Sequence, residues 1–523
     1  MDPQNNQPDP HWSPAAPEVS SESVYTVADT AYAWLSLLFA FLFCQTVPVW
    51  QHPLGGFLLI VALYGSGFLI LRLKKVTLCP ACILSAVSAL VIGSALLLTD
   101  TEFLIKLSLT YCLASYCYFL YAAFGNRIEK GFSNYIYMDF IRILFVFPFA
   151  SLTSLFPALS SNSAKKGSAF LVKSLAGIAI AIIPTGMVFF LLSYDSGFNK
   201  LLSGILSFAT FDVSRIIVSL LFTLPLAMYG FGLYFASQGN SPAEETTVES
   251  CNERLQKAQI MPQLTALVAI LPILFLYGVF FISQWKYYVS GFTGVLPEGF
   301  SYAEYARKGF FELCSVSVIN LIMIVAIAFF IKRTENGSCV ILKFVATALC
   351  LCTLILISTA IAKLVMYIDS YGLTQKRIYA LWLMILIAIA FPIIAVSQFL
   401  RKSKAVALCL AVAIVMFAGL SVCNVNALCA RYNTDRYLSG SLESIDVEAM
   451  DDLGDSAIPS LVRLANTMDA GKDPELKQQV DSLLREKIAE FEKEDVSFFS
   501  FRVPSALAKA ALKDYTPPAT PIS

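Results

Sequence analysis

A chain of 523 residues is long enough for several soluble domains, but 57% of it is hydrophobic, only 14% is charged and its mean hydropathy is +0.68, which rules out an ordinary water-soluble protein. Its 37 basic and 37 acidic side chains cancel, which removes the basic footprint of a nucleic-acid binder. With only two histidines, His11 and His52, His-ligated metal centres and Ser-His-Asp catalysis are close to excluded by number alone. The expected fold class is all-α: a polytopic integral membrane protein with about eleven transmembrane helices and a small helical soluble tail.

The first 24 residues are rich in Pro, Asn, Gln and Ser and read as a disordered arm. Apolar stretches near the roughly 20 residues needed to cross a bilayer core follow at 31–47, 54–71, 80–98 and 103–124, a first block over 25–132. The stretch 134–156 is apolar enough to cross, but Asp139 and Arg142 sit in its middle, where charge is costly. We therefore expect it to lie on the membrane or dip into it, with Asp139 and Arg142 as a local ion pair. Further spans are expected at 169–192 and 216–236, with a flat interfacial helix over 197–211 and a local pair Asp212–Arg215. These make a second region over 133–236, closed by a polar loop at 237–259. Five more spans, at 261–284, 310–331, 339–361, 378–399 and 405–422, form a block over 260–425.

From Asn426 to the end, 17 acidic side chains outnumber 11 basic ones, so 426–523 reads as a separate acidic unit. There Asp473 can cap a helix opened by Pro474, in which Leu476, Val480, Leu483, Leu484, Ile488 and Phe491 recur at helical spacing. The stretch 459–468 reads as another short helix.

Orientation follows from the bias of Lys and Arg toward cytoplasmic loops. A cytoplasmic N-terminus places Arg72, Lys74, Lys75, Arg127, Lys130, Arg254, Lys257, Lys332 and Lys404 inside and, with eleven spans, the C-terminal tail outside.

Three charged, aromatic-rich clusters then share the outer face. The first runs through Tyr302, Glu304, Arg307, Lys308 and Glu312. Glu304, Lys308 and Glu312 fall on one helical stripe, and Glu312, inside an apolar run, needs a cation beside it. The second holds Lys363, Tyr371 and Arg377, and the third Asn433 and Arg436. Arg307, Arg377 and Arg436 could gather around one ligand-binding site for an anion; alternatively, the clusters satisfy one another and dock the tail onto the spans.

Cys79 and Cys82, in Cys-Pro-Ala-Cys at the start of the third span, could close a disulfide, with the helix N-terminus stabilising the attacking thiolate. This resembles, locally, the Cys-x-x-Cys of membrane disulfide-forming quinone reductases. The orientation above nevertheless puts the pair in a reducing compartment, where small-residue packing is the simpler role. No zinc spacing, Walker loop or nucleotide fingerprint occurs, so no metal or cofactor is expected.

Residues 302–313, 371–379 and 426–437, with the adjoining 457–461, resemble in order the recurring motifs of a bacterial membrane family known only as domain of unknown function 4153. The resemblance spans roughly 169–464. One departure is Asn424-Val425-Asn426 where the family pattern reads Asn-Pro-Asp. The resemblance implies a multi-pass protein of the bacterial inner membrane and carries over no activity. Three functions stand: a receptor, regulatory or structural subunit meeting an extracellular ligand or envelope protein; a small-molecule or lipid transporter; and a thiol oxidoreductase using Cys79 and Cys82. The partners expected are the lipid bilayer and such an outer ligand or protein, with no nucleic acid.

Overall fold

The computed structural model describes residues 25–46, 52–131, 133–161, 213–240, 246–283, 302–332, 340–400, 403–468, 473–493 and 497–515, with four isolated positions between 162 and 212. Among them there is no strand, and the described spans are helical, as they must be where no water satisfies backbone groups.

The spans are α1 (Val27–Thr46), α2 (Pro53–Leu73), α3 (Pro80–Gly93) continued by α4 (Ala95–Leu98), and α5 (Glu102–Ala123). A broken segment follows: α6 (Ile136–Ile141), a π-turn over Arg142–Val146, α7 (Phe147–Ala150) and α8 (Leu155–Ser161). Then come α9 (Val213–Phe235), an amphipathic α10 (Val248–Ala258), α11 (Gln263–Ser283), α12 (Tyr302–Phe330), α13 (Val340–Tyr371), α14 (Gln375–Ser397) and α15 (Ala405–Val422). Among the described residues nine helical spans are long and apolar enough to cross a membrane, and α9 is a further apolar helix of 23 residues. The expected span 169–192, the interfacial helix 197–211 and the pair Asp212–Arg215 lie outside the described residues. Proline at the first turn opens α2 and α3, where its missing N–H costs nothing.

Polar contacts sort the helix ends into two groups. At one end Lys74 pairs with Asp29 at 2.8 Å, the Tyr234 hydroxyl donates to Asp29 at 3.0 Å, and Asn126 donates to the Ser237 carbonyl at 2.7 Å. Arg127, Lys130 and Lys404 lie in loops of this basic end. At the other end the last helices of the chain cover the spans.

The broken segment starts and finishes at the basic end. Asn134 donates to the Ser403 carbonyl and the Tyr135 hydroxyl to Asn252 at 2.7 Å. On the return, Thr30 donates to the Ala158 carbonyl at 2.9 Å. Its deep part is level with Tyr229, whose hydroxyl reaches the Leu144 carbonyl at 3.1 Å. Tyr229 lies eight residues before Ser237, roughly 12 Å along the helix. The segment bends by 53° and returns to the end of the bundle from which it starts. A Cβ at Gly232 would stand 2.6 Å from the Pro148 carbonyl oxygen, so α9 approaches the bend only because that position is glycine. Asp139 and Arg142 do not pair directly as expected: both meet the Tyr121 hydroxyl, which donates to Asp139 at 2.8 Å and accepts from Arg142 at 3.3 Å.

The tail consists of α16 (Val425–Leu438), α17 (Val447–Asp451), α18 (Ile458–Thr467), α19 (Pro474–Lys493) and α20 (Val503–Lys513). Its core buries Leu461, Leu464, Val480 and Leu484 completely or nearly so, each contributing about 1.5–3 kcal/mol. Ile92 and Leu104 of the first block and Phe417 and Leu420 of the last span join the same core. The Asp473 cap forms as expected, accepting from the Leu476 N–H at 3.2 Å.

Candidate functional site

The loop between α13 and α14 shrinks to Gly372–Leu373–Thr374, because α13 continues past the expected end at 361 to Tyr371. Helix C-termini leave carbonyls unsatisfied and attract cations, and two arginines gather there. Arg377 Nη1 donates to the Tyr371 carbonyl at 3.0 Å and to the Gly372 carbonyl, while its guanidinium lies 4.0 Å from the centre of the Tyr367 ring. Arg436, from α16, reaches Asp369 at 2.9 Å and also donates to the Ser441 carbonyl. Tyr432 sits beside that pair, its hydroxyl 3.5 Å from Asp369.

Asn433 holds the loop itself. Its Oδ1 accepts from the Leu373 N–H at 2.6 Å and its Nδ2 donates to the Leu373 carbonyl at 2.9 Å. Gly372 has φ +76°, and a Cβ there would stand 2.6 Å from Asn433 Oδ1, so both backbone conformation and space demand glycine.

Two turns earlier in α16, Asn426 makes a second junction. It is 3% exposed. Its Oδ1 accepts from Thr101 at 2.9 Å and Gln375 at 2.6 Å, and its Nδ2 donates to Asp100 at 2.9 Å and the Leu453 carbonyl at 2.9 Å. Asp100 also accepts from the Ser456 N–H at 3.1 Å and hydroxyl at 2.9 Å. Burial raises the Asp100 carboxyl above its ordinary value against the pull of Ser456, and burial likewise lowers Arg502, against Asp100 and Asp455. Asn424 caps α16, accepting from the Ala427 N–H at 3.1 Å, and donates to Ser456 at 2.8 Å. Val425 therefore occupies the first helical position, where proline also fits, which accounts physically for the motif's departure at that position.

Lys363 lies two turns before the end of α13, against α12: a Cβ at Gly309 would stand 2.5 Å from its Nζ. Glu312, one turn further along α12, is exposed and acts electrostatically on Lys363. Tyr302, Glu304, Arg307 and Lys308 belong to the helical backbone of α12, but their side chains lie outside the described residues. Deeper in the spans, Asn320 accepts from the Tyr277 hydroxyl and donates to Thr353, each at 2.8 Å. It links three helices as intramembrane polar groups do.

At the basic end, Cys79 is the residue preceding α3 and Cys82 lies within its first turn, their sulfurs 3.1 Å apart. A cavity of about 390 Å³ between α1, α2, α5 and α9 is almost wholly apolar; the Tyr32 and Tyr116 hydroxyls pair beside it at 3.0 Å. Among the described residues no group of acidic, His or Cys side chains could hold a metal ion.

Asp100 and Thr101 were not among the sequence-derived candidates. A lone acidic residue in a short loop carries no signal until its partners, more than 300 residues away, are known.

This is an all-α, multi-pass membrane protein whose tail is locked onto its spans through the motif residues. The chain belongs to the DUF4153 family, a domain of unknown function, which matches residues 86–464. The match starts earlier than the sequence motifs indicated and takes in Asp100 and Thr101, but it leaves Cys79 and Cys82 outside. No curated protein and no solved structure matches the chain.

Proposed function

We propose that the protein is a receptor-type or regulatory subunit of the bacterial inner membrane, with its N-terminus cytoplasmic and its tail extracytoplasmic. In this reading the tail meets a ligand or envelope protein, and the motif residues pass its position to the spans. The observation that carries it is Asn426, which ties α16 to Asp100 and Thr101 of the first block and to Gln375 of the last. A tail so placed is sensitive to both blocks at once. Tyr302, Glu304, Arg307, Lys308, Glu312, Lys363 and Tyr371, with Arg377, Asn433 and Arg436, are the residues proposed to meet a ligand.

The transporter alternative has less support. Asn320, the polar group nearest mid-membrane in α12, has its amide engaged by Tyr277 and Thr353, so it closes a helix contact where a path would need an open polar wall.

The experiment compares wild type and Asn433→Leu in a deletion strain and in liposomes. The variant is expected to insert at normal level, release its tail to protease and lose complementation, while the wild type conducts no ions and moves no solute. Flux through the wild type, or full complementation by a variant with a released tail, would overturn the reading.

A further inference from the structure

The two cysteines of Cys-Pro-Ala-Cys differ in a way that packing alone does not require. Cys79 stands at the mouth of α3, half-buried, while Cys82 is fully buried. Their sulfurs are 3.1 Å apart, and the Cys82 N–H donates to the Cys79 carbonyl at 3.0 Å, holding the pair in one turn. Each thiol also leans on α5: Cys79 Sγ lies 3.6 Å from the Ala122 carbonyl and Cys82 Sγ 3.7 Å from that of Phe119.

We propose that Cys79 and Cys82 form a reversible thiol–disulfide site, with Cys79 as the attacking sulfur, Cys82 as the resolving sulfur and a low-molecular-weight disulfide as co-reactant. The Cys79 thiolate attacks one sulfur of the disulfide RSSR, forming a mixed disulfide and releasing RS⁻. Cys82, deprotonated as it attacks, then displaces the second RS⁻ from Cys79. The protein dithiol loses two electrons and two protons, and RSSR becomes two RSH.

The surroundings suit the roles. Burial opposes ionisation of Cys79, but the Cys82 thiol and the positive charge of Arg127 together hold it below the ordinary thiol value. Exposure admits RSSR to Cys79 alone; only the neighbouring sulfur can reach the buried Cys82. Closing the disulfide removes the thiol hydrogens available to the Ala122 and Phe119 carbonyls, so oxidation alters the α3–α5 contact at the basic end. This inference does not depend on the proposed receptor role.

The test uses the full-length protein in lipid nanodiscs, equilibrated against graded mixtures of reduced and oxidised glutathione, quenched in acid, alkylated and read by peptide mass spectrometry. Oxidising mixtures are expected to remove both alkylatable thiols from the peptide carrying Cys79 and Cys82, and reducing mixtures to restore them. In Cys82→Ser, Cys79 is expected to keep a glutathionyl adduct. In the wild type, brief treatment with iodoacetamide at neutral pH should label Cys79 faster than the exposed Cys423. Persistence of both thiols in excess oxidised glutathione would overturn the proposal, as would a glutathionyl adduct on wild-type Cys79 that Cys82 never displaces.

Discussion

The carboxamide of Asn433 pairs with both backbone groups of Leu373, as a neighbouring strand would, although the two residues lie 60 apart, one in α16 and the other in the loop between α13 and α14. A side chain that satisfies an N–H and a C=O together fixes the loop in position and in orientation. Replacing it by leucine, of similar size, leaves both groups without that partner. The expected loss is about 1–3 kcal/mol for a group left unsatisfied, read as earlier protease release of the tail from the purified protein.

Gly372→Ala should act on the same joint from the other side. The αL conformation costs a non-glycine residue about 1–2 kcal/mol, and the new methyl would press on Asn433 Oδ1. Because both substitutions break one contact, the double variant is expected to fall well short of the sum of the singles. Additive melting shifts would show that the two positions act separately.

The pair Arg436–Asp369 is of another kind. Asp369 is 57% exposed, and pairs open to water contribute about 0–1 kcal/mol. Asp369→Asn should leave thermal stability nearly unchanged. If the same variant abolishes complementation at normal protein level, the guanidinium is read by a ligand or partner; retained complementation assigns Arg436 to the joint alone.

Acidity should strengthen the other junction. Asp100 is raised by burial, so it binds its proton more tightly in the folded protein than in the unfolded chain. Its stabilising contribution is complete below the unfolded value and is lost as pH rises through the folded one. The difference in melting temperature, wild type minus Asp100→Asn, should therefore shrink as pH is raised from roughly 3 to 7, a range starting below the ordinary carboxylate value. A difference that grows over that range would mean that the facing Arg502 outweighs burial.

Labelling can check the dipping segment. Lys130→Cys and Ser160→Cys flank it, and both are expected to react with an impermeant maleimide from the same side of a sealed vesicle. Reaction from opposite sides would make the segment a span.

Most of the membrane architecture was legible because a bilayer imposes one dominant requirement, a run of apolar residues of fixed length. The bend in the segment 134–156 had a signal too, since Asp139 and Arg142 interrupt its apolar run. What composition could not reveal was where helices overrun their apolar part. α13 runs on past its apolar part to Tyr371, carrying Lys363 against Gly309, and α1 starts at Val27 with Asp29 held by Lys74. At the site, the clusters picked out Arg377, Asn433 and Arg436 together with Tyr371, but not which atoms they would meet. The Leu373 backbone, the Tyr371 carbonyl and Asp100 leave no periodic trace, since a hydrogen bond to main chain or across 326 residues has no local signature.

That separation has a consequence for biosynthesis. Asp100 meets Asn426 and Ser456 across 326 and 356 residues of chain, and Ile92 and Leu104 complete a core made otherwise from the last span and the tail. At about 5–20 residues per second, the first block waits on the order of 15–70 seconds after its own insertion for its cover to emerge. During that interval its carboxylate and apolar end lack their final partners, and a ribosome halted before Asn424 leaves them so permanently. Closure of the fold thus waits until translation has passed Ser456, so the far end of the first block is the last part of the early chain to be covered.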